Sequence, residues 1–457
     1  MNVGPTQGLA NFASSWSYEK IPQEVVEKQK ELVLDSIGCA LGAVKSPEGI
    51  SALEALSNLE TAQGGSAIWG SSKRASPSGA ALVNGILIHA LEMDDTHAEG
   101  CFHPGATIIP AAFAVGEELN ISGKELLASI VIGYEVGIRV AIGVGPSSHR
   151  MKGWHATGTC GVFGAAAAVG NLLKLDSERM AWALGLAGVQ PTGTWVFTDD
   201  GSMCKRFHAG RASQSGVIAA YFAKGGFTGP ARVIEAEDGG FFRTTSDHFD
   251  LGRVTQGLGE TYEAIATSPK PFPCCRHSHS ALDAVLHLVS ENDLKPKDIN
   301  EILVKTNSSA HKSVARIFEP KTITEAQFSL PFTIGLAILE RRVFIDQFTM
   351  ERIKDPQVLA LAQKVKITID PQIDQNYPGH WSTEVKIITN GGREITKYVK
   401  DPPGELENPL PKSMVQEKFQ SLSNTVLPPD RIKKVEKMIF YIEEVKNVRE
   451  LTSLLVR

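Results

Sequence analysis

Ionisable side chains are concentrated in residues 89–103, between flanks that are small and apolar. Besides Glu99, the stretch holds three carboxylates, one hydroxyl and three imidazoles that are candidates for chemistry: Glu92, Asp94, Asp95, Thr96, His89, His97 and His103. Ionisable groups set among apolar residues usually line a cavity, because burying them without a partner or a task is costly. Carboxylates three residues apart on a helix share a face, so Glu92 and Asp95 are predicted to meet. Close carboxylates raise one pKa, which suits proton transfer; the alternative is a helix end whose acids cap a loop.

Two later segments carry cationic groups and imidazoles. His155 directly precedes a helix of small residues, where its ring and free backbone N–H groups can face an anion. Lys205, Arg206 and His208 come just before a Gly/Ala/Ser-rich helix predicted from Arg211. That arrangement would clamp a carboxylate. The alternatives are a satisfied histidine at a helix start and an exposed basic turn.

A third segment, Lys270 to His279, lies where the character of the chain changes. Pro271 and Pro273 hold it extended, and a rigid inter-domain segment with Lys and His often completes a cleft. The alternative is a linker with incidental polar residues. A thiol nucleophile at Cys274 or Cys275 is a further hypothesis.

Metal binding is an alternative interpretation of the first stretch. Asp95, His97 and His103 offer donors for one divalent ion, although their spacing matches no established motif. We expect no metal.

Composition limits the function classes. The chain has 457 residues, 42% hydrophobic and 21% charged, with a net charge of −5. That charge argues against a general nucleic-acid or anionic-membrane partner. No signal peptide and no membrane span are expected. Six scattered cysteines without a CxxC pattern indicate reduced thiols, so a cytoplasmic location is expected.

Hydrophobic periodicity predicts a mainly α protein with an α+β second domain. Helical patterns fill the chain up to about residue 265, and alternating strands with intervening helices follow from about residue 270. From about residue 403 the pattern returns to helix, with 430–456 strongly periodic. The predicted domains are a large all-helical domain over 1–268, a smaller α+β lid over 269–402, and a C-terminal segment over 403–457 that returns to the first.

The chain resembles the MmgE/PrpD family nearly end to end. Five segments in the family's order carry the resemblance: VNGILIHALEMDDTH…HPGATIIPAA, GWHATGTCGVFGAAAA, CKRFHAGRASQSG, KPFPCCRHSHSALDA and EAQFSLPFTIGLAI. The family includes 2-methylcitrate dehydratase, cis-aconitate decarboxylase and iminodisuccinate epimerase. The resemblance implies a two-domain homodimer that acts on small di- or tricarboxylates between its domains, without cofactor or metal.

The resemblance also assigns positions. The family's acid falls on Glu92, where Asp is more usual, and the remaining site positions fall on Thr96, His103, His155, Lys205 and Lys270. The decarboxylase subgroup has a histidine five residues after the second lysine, where this chain has Cys275. It also has a tyrosine in the FSLPF segment, where this chain has Phe332. Both departures argue against decarboxylation, and the Asp-to-Glu change argues for a substrate other than methylcitrate.

We therefore predict a cofactor-independent lyase or isomerase that removes a proton alpha to a carboxylate, similar to 2-methylcitrate dehydratase. Alternatives are an epimerase of an iminodisuccinate-like acid, a cis-aconitate-type decarboxylase, and a non-enzymatic helical dimer that binds an anion. Predicted catalytic residues are His103, His155, Glu92, Thr96, Lys205 and Lys270. Predicted substrate contacts are Asp95, Arg206, His208, Cys275 and His279. His103 or His155 would be the base, and the second imidazole or Glu92 would return a proton.

Overall fold

In the computed structural model, which describes residues 3–60 and 65–457, the chain up to about residue 265 is built mainly of helices joined by loops. Residues 1, 2 and 61–64 of the predicted helical domain lie outside the described residues. The helices of this part are α1 Pro5–Ser15, α2 Gln23–Ala43, α3 Pro47–Leu59, α4 Pro77–Ala90, α5 Gly105–Leu119, α6 Gly123–Gly143, α7 Pro146–Met151, α8 Ala156–Leu172, α9 Ser177–Gly188, α10 Phe197–Asp200, α11 Cys204–Lys224 and α12 Phe241–Thr245. Its short strands are β1 Ser66–Ala67, β2 Arg74–Ala75, β3 Thr96–His97 and β4 Thr267–Ser268.

The next part is a four-stranded sheet with helices. The helices are α13 His279–Glu291, α14 Ser308–Val314, α15 Ile323–Gln327, α16 Leu330–Glu340, α17 Pro356–Ala362 and α18 Pro371–Asn376. The strands are β5 Ile299–Thr306, β6 Val365–Ile369, β7 Thr383–Thr389 and β8 Glu394–Val399. Their order is β6-β5-β7-β8, with β5 and β6 parallel and the other pairs antiparallel. The predicted fold class, mainly α with an α+β part, is confirmed.

The last helices belong to the helical part. They are α19 Lys412–Ser423, α20 Pro429–Phe440 and α21 Arg449–Thr452. Their apolar side chains, including Phe419 and Ile439, are buried in the same core as those of α1 to α9. A separate core is formed mainly by residues 274–399. The chain thus has two hydrophobic cores, and the first is built from both ends of the sequence.

Close packing of small residues joins the helices that carry the site. Every residue of α8 is buried, and α8 packs on both α6 and α11. A Cβ atom at Gly164 would lie 2.7 Å from the carbonyl oxygen of Gly133 on α6, so only glycine allows this approach. A capping box begins α6, because Ser122 and Glu125 each accept the other's backbone N–H.

Helix α6 also meets the length and hydropathy criteria for a membrane span, the one such helix in the described part of the chain. The apolar stretch that meets these criteria is entirely buried within the protein. It also holds a buried ion pair, with Arg139 Nε 3.1 Å from Glu135 Oε2. These features are those of a core helix.

Two helix predictions were wrong at one end, and the periodic C-terminal stretch is divided into separate helices. Helix α11 begins at Cys204, not near Arg211, so Lys205 and His208 lie in its first turns. Helix α4 ends at Ala90, because Glu92 adopts a left-handed backbone with φ 55° that stops the helix. The periodic tail is not one helix, since α20 ends at Phe440 and a 3₁₀ turn follows.

Lys418 of α19 is a buried lysine that links several segments of the chain. Its ammonium lies 2.6 Å from Asp35 Oδ1 on α2, and both side chains are buried. It also donates to the carbonyl oxygens of Met93 and Lys270, the latter at 3.0 Å. One buried cation therefore connects the C-terminal segment to α2 and to two backbone segments beside the cavity described below.

We predict that Lys418→Met lowers the free energy of unfolding by about 3–5 kcal/mol, because it leaves Asp35 buried without its partner. Urea unfolding followed by circular dichroism measures this loss. Lys418→Met/Asp35→Asn should recover part of it, and the exposed Lys433→Met on α20 is the control. A Lys418→Met protein as stable as the control variant would contradict this linking role.

Candidate active site

A cleft of about 620 Å³, partly open to solvent, lies between the two cores. Its walls bring together residues from widely separated segments of the chain. The predicted site residues on these walls are Glu92, Thr96, His103, His155, Lys205, Lys270 and Cys275. The structure therefore places all six predicted catalytic residues in one cavity, while their individual roles stay predictions.

A two-residue β-ladder brings the acidic stretch to the Lys270 segment. Strands β3 and β4 pair antiparallel, with Thr96 opposite Ser268. Lys270 follows β4 by two residues, and its Nζ lies 3.2 Å from the carbonyl oxygen of Glu92. Backbone pairing therefore fixes the lysine against the loop that carries the carboxylates.

Glu92 is a buried carboxylate surrounded by three cations. Its oxygens lie 2.5 Å from Lys205 Nζ, 3.3 Å from Lys270 Nζ and 3.4 Å from the Arg206 guanidinium. Burial alone would raise the pKa of Glu92, but the charges of Lys205, Lys270 and Arg206 hold that pKa well below its ordinary value. Glu92 is thus ionised at neutral pH, and its task is to hold the cations in place.

Hydrogen bonds fix the protonation of His89. Its Nδ1 lies 2.7 Å from Asp94 Oδ2, and its Nε2 lies 2.9 Å from Lys205 Nζ. The carboxylate accepts the Nδ1–H, and the ammonium donates to Nε2. Burial, followed by the charge of Lys205, lowers the pKa of His89. His89 is therefore a neutral bridge between Asp94 and Lys205.

The tautomer of His103 follows from its backbone contact. His103 Nδ1 lies 2.8 Å from the carbonyl oxygen of Asp95, and this oxygen only accepts hydrogen bonds. Nδ1 therefore carries the proton, and the lone pair is on Nε2. Thr96 Oγ1, 3.3 Å from Nδ1, lies beside the same edge of the ring. Burial and the neighbouring charge of Lys270 hold the pKa of His103 well below its ordinary value, so this ring is a neutral base.

His155 is placed by the start of α8. It is the N-cap residue, and its backbone N–H donates to the carbonyl oxygen of Gly193 at 3.0 Å. Its ring stacks on His89 with 5.9 Å between centroids and meets the Trp195 ring edge-on at 5.3 Å. Burial and the charge of Lys205 hold the pKa of His155 well below its ordinary value. The cavity thus contains two neutral imidazoles beside ammonium groups.

The prediction that Glu92 and Asp95 meet on a helix was wrong. The helix ends before both residues, and Asp95 points away from the cavity. Asp95 Oδ2 accepts from the Tyr134 hydroxyl at 2.6 Å, and Oδ1 accepts from Gly105 N–H at 2.9 Å. Burial raises the pKa of Asp95 to about 8. The pKa of Asp95 is thus strongly shifted, but its carboxyl group lies behind the cavity wall.

Three other predicted substrate contacts also lie behind the walls. Arg206 bonds Gln327 Oε1 at 2.6 Å and contacts Glu92. His208 has its Nδ1 3.2 Å from His155 Nδ1. His279 is fully buried between Arg276, at 3.0 Å, and the carbonyl oxygen of Cys274. These side chains support cavity residues rather than reach a bound molecule, because their polar atoms are directed at protein partners.

Phe332 does not line the cavity, so the absence of a tyrosine at this position is not evidence about the site. Phe332 is fully buried in the second core, and its ring packs against Phe348. Phe328, four residues earlier, lines the cavity instead, with Lys205 Nζ 5.5 Å from its ring centroid. The departure at Cys275 remains relevant, since Cys275 is on the cavity wall.

The predicted metal trio does not assemble. His97 turns away, with Nδ1 accepting from Gly100 N–H at 3.1 Å. The donors that do converge are His89, Asp94 and His103, all within 4.8 Å of one another. The Nδ1 atoms of both imidazoles carry protons, and Lys205 lies beside the group, so this donor set fits a proton network better than a cation site.

Sequence reasoning missed several cavity residues. These are Cys101, His149, Arg150, Trp195, His277, Ser309, Phe328, Tyr377 and Trp381. His149 and Arg150 lie on α7, a few residues before His155, and that proximity was a usable signal. Tyr377 and Trp381 come from the segment after α18, and no local pattern marks them, since only the tertiary fold brings that segment to the cavity.

Comparisons with known proteins show which family the chain matches. The family model described as MmgE/PrpD N-terminal domain matches residues 7–253, and the model described as MmgE/PrpD C-terminal domain matches residues 272–440. Cis-aconitate decarboxylase of Aspergillus terreus is 27% identical over 99% of this chain and 96% of its own length. The human cis-aconitate decarboxylase is 26% identical over 98% and 94%. The 2-methylcitrate dehydratase of Escherichia coli (strain K12) is 23% identical over 79% and 77%.

Asp95 gives a stability prediction. Because its pKa is about 8 in the folded protein and near 3.8 when exposed, the unfolded chain ionises first as pH rises. The wild type therefore loses stability between pH 4 and pH 8 through this group. Asp95→Asn should remove that loss, so urea unfolding should show the variant gaining stability relative to wild type from pH 5 to pH 8. The exposed Asp238→Asn is the control; an identical pH dependence of Asp95→Asn and wild type would contradict the assignment.

Proposed function

Because the chain belongs to the MmgE/PrpD family, we propose that it is a lyase that removes a proton alpha to a carboxylate of a small tricarboxylic acid and eliminates water. The observation that carries the proposal is the neutral His103 ring, whose Nε2 is unprotonated in a cavity that also holds two lysine ammonium groups. A base beside fixed positive charge is what proton abstraction next to a carboxylate requires.

The two lysines bind and activate the substrate. Lys205 donates to His89 and Glu92, which leaves its third N–H for the substrate hydroxyl, while its positive charge attracts the substrate carboxylates. Lys270 contacts Glu92 through its side chain and lines the same wall. When the alpha proton leaves, negative charge develops on the substrate carboxylate, and the ammonium groups stabilise it without reorganising.

The reaction is balanced by two proton transfers. His103 Nε2 takes the alpha proton, and the C–H electron pair moves toward the adjacent carboxylate. The bond between the beta carbon and its hydroxyl then breaks, and Lys205 supplies the proton with which the hydroxyl leaves as water. The product is an unsaturated acid, and solvent exchange returns His103 to neutral and Lys205 to its ammonium form.

Lys205 is a better proton donor than the residues first considered. Glu92 is ionised and holds no proton, so its predicted role as an acid does not fit its surroundings. Burial lowers the pKa of Lys205 to about 8, so the ammonium is populated at neutral pH yet able to release a proton. His155 is neutral, and its ring packs against His89 and Trp195 on the cavity wall.

Dehydration fits this base better than decarboxylation does, because loss of CO2 needs a proton donor but no base. Cys275 also occupies the wall at the position where the decarboxylase subgroup has histidine. Decarboxylation is nevertheless the second candidate, since relatives named cis-aconitate decarboxylase match 98–99% of this chain. Epimerisation of an iminodisuccinate-like acid shares the first proton transfer and differs only in the absence of a leaving group.

Proton NMR in deuterated buffer separates these reactions. The purified protein, treated with EDTA, is mixed with 2-methylcitrate, citrate, cis-aconitate or iminodisuccinate. We expect a vinyl signal from a hydroxy acid, which indicates dehydration. A new vinyl signal from cis-aconitate with release of CO2 would indicate decarboxylation, and exchange of the alpha proton without a new product would indicate epimerisation.

His103→Gln is the matched variant, since it keeps a polar side chain but lacks the basic nitrogen. We expect it to slow product formation by roughly 100- to 10,000-fold, the range for loss of a positioned base. The buried Asp95→Asn, behind the cavity, should stay within a few-fold of wild type. Silence of the wild type across the whole panel would contradict the proposed substrate class.

The pH dependence follows from Lys205 and His103. Since the pKa of Lys205 is about 8, kcat/KM should fall as pH rises through about 8 and the ammonium is lost. Since the pKa of His103 is well below 6.5, the base stays neutral and activity is retained as pH falls to about 6. Measurement of kcat/KM from pH 5.5 to pH 9.5 tests both expectations. A profile that instead falls below pH 7 would contradict the assignment of the base.

A further inference from the structure

Arg150 presents a cationic group to the cavity that the mechanism above does not use. It lies on α7, lines the cavity, and its guanidinium lies over the Trp195 ring at 4.0 Å from the centroid. Its buried Nε–H has no hydrogen-bond partner in the part of the chain that the structure describes. Nearby Lys152, by contrast, pairs with Asp247 at 2.8 Å. A donor desolvated without a partner is costly and calls for an acceptor.

The charge of Arg150 persists at neutral pH. Burial lowers the pKa of its guanidinium to about 10. Arg316, which is positive and exposed, acts on it from nearby, and Lys312 is a further positive group close to it. This part of the cavity is therefore positive, separately from the lysines that surround Glu92.

His277 offers a second free donor beside Arg150. Its ring stacks on Trp381 with centroids 4.3 Å apart, and Ser309 Oγ lies 3.2 Å from its Nε2. Its Nδ1 is buried and has no partner within the described residues. When the Ser309 hydroxyl donates to Nε2, Nδ1 carries the proton and can donate in turn. Burial, with the charge of Arg150, lowers the pKa of His277 to about 3, so the ring stays neutral.

We propose that Arg150 and His277 form a second anion subsite, which binds a substrate carboxylate remote from the reacting carbon and makes the enzyme selective for tricarboxylates over dicarboxylates. The subsite is separated from His155 by the Trp195 ring, which contacts both His155 and Arg150. The location of the reacting carbon rests on the proposed function, whereas the subsite itself rests on the two free donors. A planar guanidinium held flat on an indole can donate hydrogen bonds from its edge to a carboxylate.

Binding of two unreactive probes tests the subsite. Tricarballylate carries three carboxylates, and succinate is the same molecule without one carboxymethyl arm. Isothermal titration at constant pH and ionic strength gives Kd for wild type and for Arg150→Gln. We expect wild type to bind tricarballylate at least about tenfold more tightly than succinate, and Arg150→Gln to lose about tenfold for tricarballylate but less than about threefold for succinate.

Matched variants separate recognition from folding and from general charge. Arg150→Lys keeps the charge and should retain part of the selectivity. His277→Phe keeps the stacked ring, lacks the donor, and should weaken tricarballylate binding several-fold. Lys152→Gln removes a positive charge two residues away and should match wild type. Melting curves of each variant establish that the proteins are folded.

Different results would overturn the anion subsite and the proposed lyase reaction. Folded Arg150→Gln and Arg150→Lys proteins with the wild-type ratio of the two Kd values would overturn the subsite and leave Arg150 as a structural partner of Trp195. Wild-type selectivity that is lost in Arg150→Gln would support the subsite even if no acid in the panel is turned over. In that case the proposed lyase reaction fails and the anion subsite stands.

Discussion

The charge balance around Glu92 is the interaction on which the rest of the site depends. Lys205 comes from α11 and Lys270 from the segment that leads into the α+β part, and both ammonium groups contact this one buried carboxylate. Two buried ammonium groups that share one carboxylate would repel each other, and Glu92 offsets that repulsion. The left-handed backbone of Glu92, with φ 55°, is an uncommon conformation, and it directs both the carboxylate and the carbonyl oxygen to the lysines.

The same cations determine the state of the imidazoles. His89, His103 and His155 are buried around Lys205, and burial with nearby positive charge disfavours a further proton on each ring. Asp94 accepts from His89, whose other nitrogen accepts from Lys205, so one chain of hydrogen bonds joins a carboxylate to an ammonium. A site built to bind carboxylates is therefore also a site whose histidines are available as bases at neutral pH.

The helices and strands, the residues that belong to the site, and the directions of their side chains were predictable from the sequence to different degrees. Regular helices such as α6 and α8, and strands such as β5 and β7, follow from periodicity, capping and turn residues, which are local properties. The inclusion of His103, Lys205 and Lys270 in one site followed from their setting and from the family resemblance. The direction of each side chain did not follow, because loop conformation depends on tertiary partners. Asp95 turns to Tyr134, 39 residues later in the chain.

The second wall of the cavity was the least predictable part. His277 lies in the segment from Lys270 to His279, whereas Arg150 and Trp381 lie outside every segment that the sequence marks. Their contribution depends on which polar atoms remain without partners after folding, and this is a property of the packed structure. Sequence patterns identify groups that can do chemistry, whereas unpaired donors show where a further ligand group fits.

The central claim is that His103 is a neutral imidazole with its lone pair on Nε2. Nitrogen NMR of protein labelled with ¹⁵N-histidine, with His103→Gln as the reference that identifies the His103 signals, reports the tautomer and charge of this ring directly. We predict a neutral ring protonated at Nδ1 throughout the range from pH 6 to pH 8. A cationic ring at pH 7, or a neutral ring protonated at Nε2, would contradict the account, because neither form has a lone pair on Nε2 with which to remove a proton.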